Sequence, residues 1–338
     1  MHSKYDSPDV DKMFREGQRL FISRHVAAEK DKVGILRAGN TGVVLEDGRV
    51  VGKCHRLTAL RFLGIEAETT EDLSRELMFD NGRANEDQWV TVLKDVWDGV
   101  ILREDEVPVQ WLTKDGTKVT GRPDIVLARY RPPKEPEGVG EIYPVKGIEL
   151  KLVSSVWTGR DVLQGKPKAM HLMQAAHYMW QVGVPFELWY TSRVDWPITG
   201  WMTKLFPKPD SLYSDVIGYK EDKMKGTLEP FKMFPFRVGY ELRWTSDNFI
   251  EYRQVYNGVR SDWVKSIISV ERIKTYYEKV LEVVQKKNLG SRPHNIEADG
   301  SKGGYAICDY CPLKSICDTY ENQGYDKWLS AIQKRGEK

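Results

Sequence analysis

Three side chains near the ends of two neighbouring predicted strands have the types needed for metal-assisted hydrolysis. They are Asp124 in GRPDIVL, and Glu149 and Lys151 in GIELKL. Side chains alternate along a strand, so Glu149 and Lys151 point to the same face. If the two strands pair, Asp124 comes close to Glu149. Two carboxylates held together repel, and a divalent cation removes that cost. Hard oxygen ligands select Mg²⁺ or Mn²⁺. Such a cation lowers the pKa of a bound water and draws charge off a phosphate oxygen. Lys151 adds positive charge beside the attacking water and the developing oxyanion. These are the parts of a phosphodiester-hydrolysing centre. The flanking Val145, Ile148, Leu150, Leu152 and Val153 make the acid and lysine costly to bury without a purpose. A second such triplet, Glu221-Asp222-Lys223, lies in the polar run YKEDKMKG and reads as a solvated loop.

Two further sets of residues bear on this chemistry. Gln174 and Tyr178 are four apart on a predicted helix and so share a face, which by itself reads as an ordinary polar face but could also hold a nucleic-acid strand or brace Lys151. Asn85 falls on the apolar stripe of another predicted helix, and a buried amide needs a partner: a metal, a water, a carboxylate or an ordinary core group. The four cysteines are Cys54 in GKCHRLTAL, and Cys308, Cys311 and Cys317 in ICDYCPLKSIC, with Pro312 directly after Cys311. Four thiolates suit zinc or an iron–sulfur cluster. Structural zinc sites usually draw ligands as two short pairs, whereas the one-plus-three spacing here suggests a cluster pinning distant parts of the chain together.

The elements that must position these groups follow from periodicity. Residues 71–96 predict a helix whose apolar stripe is Leu73, Leu77, Met78, Trp89, Val92, Leu93 and Val96, weakened by Gly82. EVPVQWLT, the turn Lys114-Asp115-Gly116, and KVTGRPDIVLARY read as two strands of a hairpin. YPVKGIELKLV (143–153) is a third strand. Pro167 suits the first turn of a helix over about 167–182, Gly183 ends it, and 185–192 returns to strand. Residues 193–258 read as an insertion with a short hairpin, rich in aromatics such as Trp196, Trp201, Tyr240 and Trp244. Those rings suit core packing more than base stacking. A long helix is predicted over about 260–287.

Composition bounds the function. With 41% hydrophobic and 30% charged residues, 338 residues can bury a substantial core. The 51 basic and 49 acidic residues leave a net charge of +2, so nucleic-acid contact must come from a local patch. No run of roughly 20 apolar residues appears, and the first thirty residues lack an apolar leader core. With the cysteine usage, this points to a cytoplasmic, reducing compartment and away from membranes.

In this order, Asp124, Glu149-x-Lys151, Gln174-x3-Tyr178 and the one-plus-three cysteines resemble the RecB-like branch of the PD-(D/E)xK nuclease superfamily. The iron–sulfur subgroup, with the CRISPR-associated RecB-like exonucleases and the nuclease domain of AddB, is the most similar. The resemblance runs from about Cys54 to Cys317. It implies an α/β fold with a restriction-endonuclease-like core, a central mixed sheet flanked by helices, and a helical, iron–sulfur-bound N- and C-terminal subdomain. The expected divisions are 1–70, an N-terminal helical segment with the first cysteine; 71–192, the nuclease core; 193–258, the insertion; and 259–338, the C-terminal helix and three-cysteine segment. The resemblance further implies a [4Fe–4S] cluster on Cys54, Cys308, Cys311 and Cys317, and Mg²⁺ or Mn²⁺ on Asp124, Glu149 and the Leu150 carbonyl, assisted by Asn85 or Glu86. Pro123 takes the place of the signature proline, Lys151 polarises, and Gln174 and Tyr178 position the strand. Arg56, in the Cys-x-Arg that opens the domain, with Arg122, Lys166 and Lys168, are the candidates for DNA contact. The implied activity is DNA cleavage by a metal-activated water, as a single-strand-preferring exonuclease rather than an endonuclease. Implied partners are DNA ends, recombination or replication proteins, and a second copy of the chain. The family's usual first-helix histidine, in a G-x-x-H-E pattern, is replaced by Asn85 in Gly82-Arg83-Ala84-Asn85-Glu86. An amide is a weaker ligand and no base, which gives weight to a rival reading: a nuclease-fold DNA-binding or assembly subunit that does not cut.

Overall fold

The run GIEL, with an acid between apolar residues, is the fully buried stretch of a long strand at the middle of the main sheet. The computed structural model describes residues 33–65, 73–133, 135, 138–153, 156–191, 221–222, 227–228, 237–256, 258–286, 289, 300, 311, 313–324, 327 and 330. In chain order the elements are β1 (Leu36–Arg37), β2 (Gly42–Val44), β3 (Val50–Gly52), α1 (His55–Phe62), α2 (Leu73–Val96), β4 (Val100–Arg103), β5 (Val109–Leu112), β6 (Lys118–Gly121), β7 (Ile125–Arg131), β8 (Glu141–Leu152), α3 (Val156–Leu163), α4 (Ala169–Val182), β9 (Phe186–Thr191), β10 (Glu221–Asp222), β11 (Thr227–Leu228), β12 (Arg237–Trp244), β13 (Phe249–Tyr256), β14 (Val259–Arg260), β15 (Val264–Ser269), α5 (Val270–Lys286) and α6 (Lys314–Gln323).

The fold is α/β, built on one mixed sheet of order β14-β13-β12-β9-β8-β7-β4, with β15 also paired to β13. Its neighbours run antiparallel except β8 and β9, which are parallel and joined through α3 and α4. A parallel pair needs such a crossover. Helices cover both faces. On one, Val90 and Leu93 of α2 pack with Ile125, Leu127, Ile148, Leu150 and Trp189. On the other, Leu172, Met173 and Ala176 of α4 share a core with Phe186, Leu188, Tyr190 and Tyr240 of the sheet and Tyr276 and Tyr277 of α5. α4 ends at Gly183, whose φ of +76° is the left-handed conformation that closes a helix most cheaply with glycine.

Several expectations are corrected. The segment KVTGRPDIVLARY is not one strand: it divides at Arg122-Pro123-Asp124, sending β6 to a small sheet of order β1-β6-β5 and β7 to the main sheet. The buried stripe of α2 carries Asn85, Val90 and Leu93, while Val92 and Val96 are exposed; the side chains of 73–79 lie outside the described residues. Within 193–258 the expected hairpin is β12 and β13, and it extends the main sheet, because Arg237–Leu242 pairs with Phe186–Thr191. The expected helix from 260 begins only at Val270, after β15, where the Ser269 hydroxyl accepts the Arg272 amide. The N-terminal segment expected to be helical holds three short strands, a 3-10 turn at Ala38–Asn40 and one α-helix in its described part. Of the polar triplet at 221, Glu221 and Asp222 pair with Leu228 and Thr227 in a two-residue ladder; Lys223 lies outside the described residues, as do Trp196 and Trp201. Tyr240 packs edge-on against Tyr190 at 5.9 Å in the core.

Candidate active site

The division of the chain at residues 122–124 places Asp124. β7 meets β8 in antiparallel register with Ile125 opposite Ile148, so Asp124 stands where β7 has just begun and Glu149 is its neighbour across the ladder. Oδ2 of Asp124 accepts the Leu150 backbone N–H at 2.7 Å. The side chain thus continues the ladder where the backbone has turned away. The corner is backed by Tyr178: a Cβ on Gly121 would lie 2.5 Å from its ring, so only glycine fits there. The Tyr178 hydroxyl accepts from Gln174 Nε2 at 3.2 Å and from the Arg122 backbone N–H.

Glu149 and Lys151 share a face of β8, as alternation requires, and Lys151 Nζ donates to Glu149 Oε1 at 2.5 Å. Glu149 is fully buried, and its other oxygen, Oε2, has no hydrogen-bond partner among the described residues. Burial, reinforced by the charge of Asp124, pushes the Glu149 carboxyl up to about 8. Asp124 is also raised by burial, against the opposing pull of Lys151 and the Leu150 amide. Burial works to discharge Lys151, but Glu149 and Asp124 outweigh it and hold its pKa above the usual lysine value. Glu86, on α2, joins the same field: burial, then Asp124 and Glu104, raise it to about 7. An enclosed set of acids with one orphaned carboxylate oxygen fits a hard divalent cation in chemistry.

Other expected site residues take different places. Asn85 is buried on α2, but its Oδ1 accepts the Thr191 hydroxyl at 3.0 Å, which makes it a satisfied core amide. Tyr178 is buried, so it positions the Asp124 corner and is not a surface for a strand; Gln174 is half-buried beside it. Arg56 is corrected as a DNA contact: only 3% of its side chain is exposed, and it donates to the Leu289 carbonyl and to Glu321. Arg122 is exposed and paired with Asp105 at 3.2 Å, Lys166 is exposed, and Lys168 is half-buried against Asp161 at 3.3 Å. Leu150 is buried, with its amide given to Asp124.

The sequence reading missed Arg103, Glu104, His171 and Tyr190. Arg103 pairs in register with Ile125, next to Asp124, and its Nε is buried without a partner among the described residues. The signal was the short apolar run Val100–Leu102 before it, a strand too brief to stand out from α2. His171 and Tyr190 sit on elements that were read correctly but as packing.

Three cysteines come from distant parts of the chain into one neighbourhood. Cys54 precedes α1, Cys317 lies in α6, and both are buried; Cys311 is half-buried. Burial, then the thiols of Cys54 and Cys311, push Cys317 up to about 11, against the Arg56 guanidinium, which hydrogen-bonds to it. These three are free thiols. Cys308 lies outside the described residues. Among the described residues no group of three or more His, Cys, Asp or Glu side chains is gathered closely enough to hold a metal ion.

No helix among the described residues is long and apolar enough to cross a membrane. No known protein family, curated protein or solved structure matches this chain.

Proposed function

We propose that the protein is a metal-dependent deoxyribonuclease of the RecB-like PD-(D/E)xK type, hydrolysing phosphodiester bonds at single-stranded ends. One observation carries the reading: Asp124 and the Glu149–Lys151 pair meet on adjacent strands, with Glu149 Oε2 buried and unpartnered among the described residues. The arrangement of β4, β7, β8 and β9, antiparallel until a helical crossover to a parallel strand, supports a nuclease core of that type.

Asp124, Glu149 and the Leu150 carbonyl would hold Mg²⁺ or Mn²⁺, with Glu86 close enough to add charge. When bound, the cation supplies an activated water and neutralises charge on the phosphate. Lys151, kept cationic by the acids around it, stabilises negative charge developing on the phosphate. Tyr178 and Gln174 hold the corner that carries Asp124. Cys54, Cys308, Cys311 and Cys317 would hold a [4Fe–4S] cluster, a structural clasp between α1 and the C-terminal segment. DNA is the proposed partner, with recombination or replication proteins around it.

A second reading is favoured by Asn85. Its oxygen is engaged by Thr191, so the first helix offers only Glu86 toward the cation. That would suit a DNA-binding subunit that no longer cuts. Degradation of end-labelled single-stranded DNA in Mn²⁺ separates the two. The nuclease reading expects cleavage by the native protein and its loss in Lys151→Ala. Equal degradation by both sinks the catalytic assignment, and no degradation by either favours the subunit.

A further inference from the structure

We propose that His171 donates its Nε2–H to a nonbridging oxygen of the substrate phosphate beside Lys151, and that Tyr190 holds the imidazole in the tautomer this requires. The inference rests on the nuclease reading and adds a positioning residue that the reading does not use.

His171 lies in the first turn of α4, half-buried, with Nδ1 2.9 Å from the Tyr190 hydroxyl. That hydroxyl also accepts the Lys168 backbone N–H at 3.0 Å. A phenol keeps its proton at neutral pH, and in the proposed arrangement it gives that proton to Nδ1. The hydrogen of a neutral imidazole then sits on Nε2. Neutrality follows from the surroundings: burial first, then the ammonium groups of Lys151, Lys168 and Lys53, hold His171 well below its usual pKa. Nε2 has no hydrogen-bond partner among the described residues.

The register places this donor at the proposed centre. Tyr190 is the partner of Lys151 across the parallel β8–β9 ladder, so the ring that fixes His171 stands beside the lysine that faces the phosphate. Lys151, paired with Glu149, and Lys168, paired with Asp161, act on the ring together with Lys53, so an uncharged N–H is favoured there, and it can direct a hydrogen bond to an oxygen of a phosphodiester. A fourth cation there would be opposed by the other three; a neutral donor adds a directed hydrogen bond without that repulsion.

Single-turnover cleavage of labelled single-stranded DNA in Mn²⁺ tests the role, using substrates with one methylphosphonate walked along the phosphates next to the cut. On unmodified DNA, His171→Leu should lower the cleavage rate about 10- to 100-fold with little change in KM. His171→Gln, which keeps an N–H near the Nε2 position, should recover most of the rate. At one methylphosphonate position the defect of His171→Leu should vanish, because the contact is already lost. Cleavage by His171→Leu equal to that of the native protein, or a defect undiminished at every position, overturns the proposal. If the native protein does not cut, the nuclease reading falls and the proposal with it. ¹⁵N shifts of the native His171 ring give a reading independent of cleavage and of whether the leucine variant folds. A protonated Nε2 with a bare Nδ1 at neutral pH is expected, and the opposite tautomer or an imidazolium overturns the assignment.

Discussion

Glu149 is buried as an acid whose second oxygen has no protein partner among the described residues, and this makes the folded state sensitive to protons and to cations together. Its folded pKa of about 8, and that of Glu86 at about 7, lie above the ordinary value of 4.5. Between 4.5 and those values these two acids bind more protons folded than unfolded and lower stability as pH rises, while up to about 6.5 the buried His55, His171 and His177, whose pKa values burial lowers, act in the opposite sense. Lys151, with its pKa raised, contributes stability that is fully present below the ordinary lysine value, so it adds no slope there. A divalent cation takes the deprotonated carboxylates and reverses the cost. In EDTA the melting temperature should therefore drop between about pH 6.5 and pH 8, above the range where the histidines oppose the acids, and excess Mn²⁺ should restore most of the loss at the upper end. Glu149→Gln should flatten the EDTA curve and abolish the Mn²⁺ effect. A gap between the two curves that is the same at every pH would count against a cation on these acids. Lys151→Ala should cut the rate by about 10²- to 10³-fold and leave DNA binding in Ca²⁺ nearly unchanged.

Among the elements, the corner at Gly121–Asp124 and the helix α4 behind it set the site. An alanine at 121 would bring its Cβ within 2.5 Å of the Tyr178 ring and 2.8 Å of Ala38. Gly121→Ala should cost about 1–3 kcal/mol in urea unfolding, from overpacking. Its cleavage rate should fall further than Tyr178→Phe lowers it, because the displaced corner carries Asp124. Much of this layout was legible in the sequence. Alternation put Glu149 with Lys151, helical spacing put Gln174 with Tyr178, and Pro167 and Gly183 bracketed α4 nearly to the residue. The turn at 122–124 was hidden, because Arg-Pro-Asp is too short to interrupt a β-rich run and the split depends on two sheets competing for it. α2 misled through Val92 and Val96: its amphipathic stripe is broad, and only packing against Ile148 and Trp189 selects the edge that is buried. His171 was invisible as a site residue, since nothing in HLMQAAHY marks one ring as facing a lysine from another strand.

At the scale of the whole molecule, residues far apart in sequence are tied at one place. Arg56 reaches the Leu289 carbonyl at 3.2 Å and Glu321 at 2.7 Å, beside Cys317. Arg56→Ala should destabilise the protein by about 2–4 kcal/mol, since the buried Leu289 carbonyl loses a charged donor. Urea unfolding reads the loss. Cys317→Ser should remove the broad absorbance at about 400 nm expected of anaerobically purified protein with a cluster, and should weaken DNA binding with it. Retained colour, or colourless native protein with stoichiometric zinc, would refute the cluster.

The bond from the Leu150 amide to Asp124 has a consequence for how the centre could be damaged or evolve. One acid takes its position from the peptide unit immediately after the other, so their separation is inherited from sheet registration. A slip of β7 by a single position would reverse the alternation and turn its inward side chains out. Changes near the irregularity at Leu127 and Ala128, remote from any reacting atom, therefore have a direct lever on the chemistry.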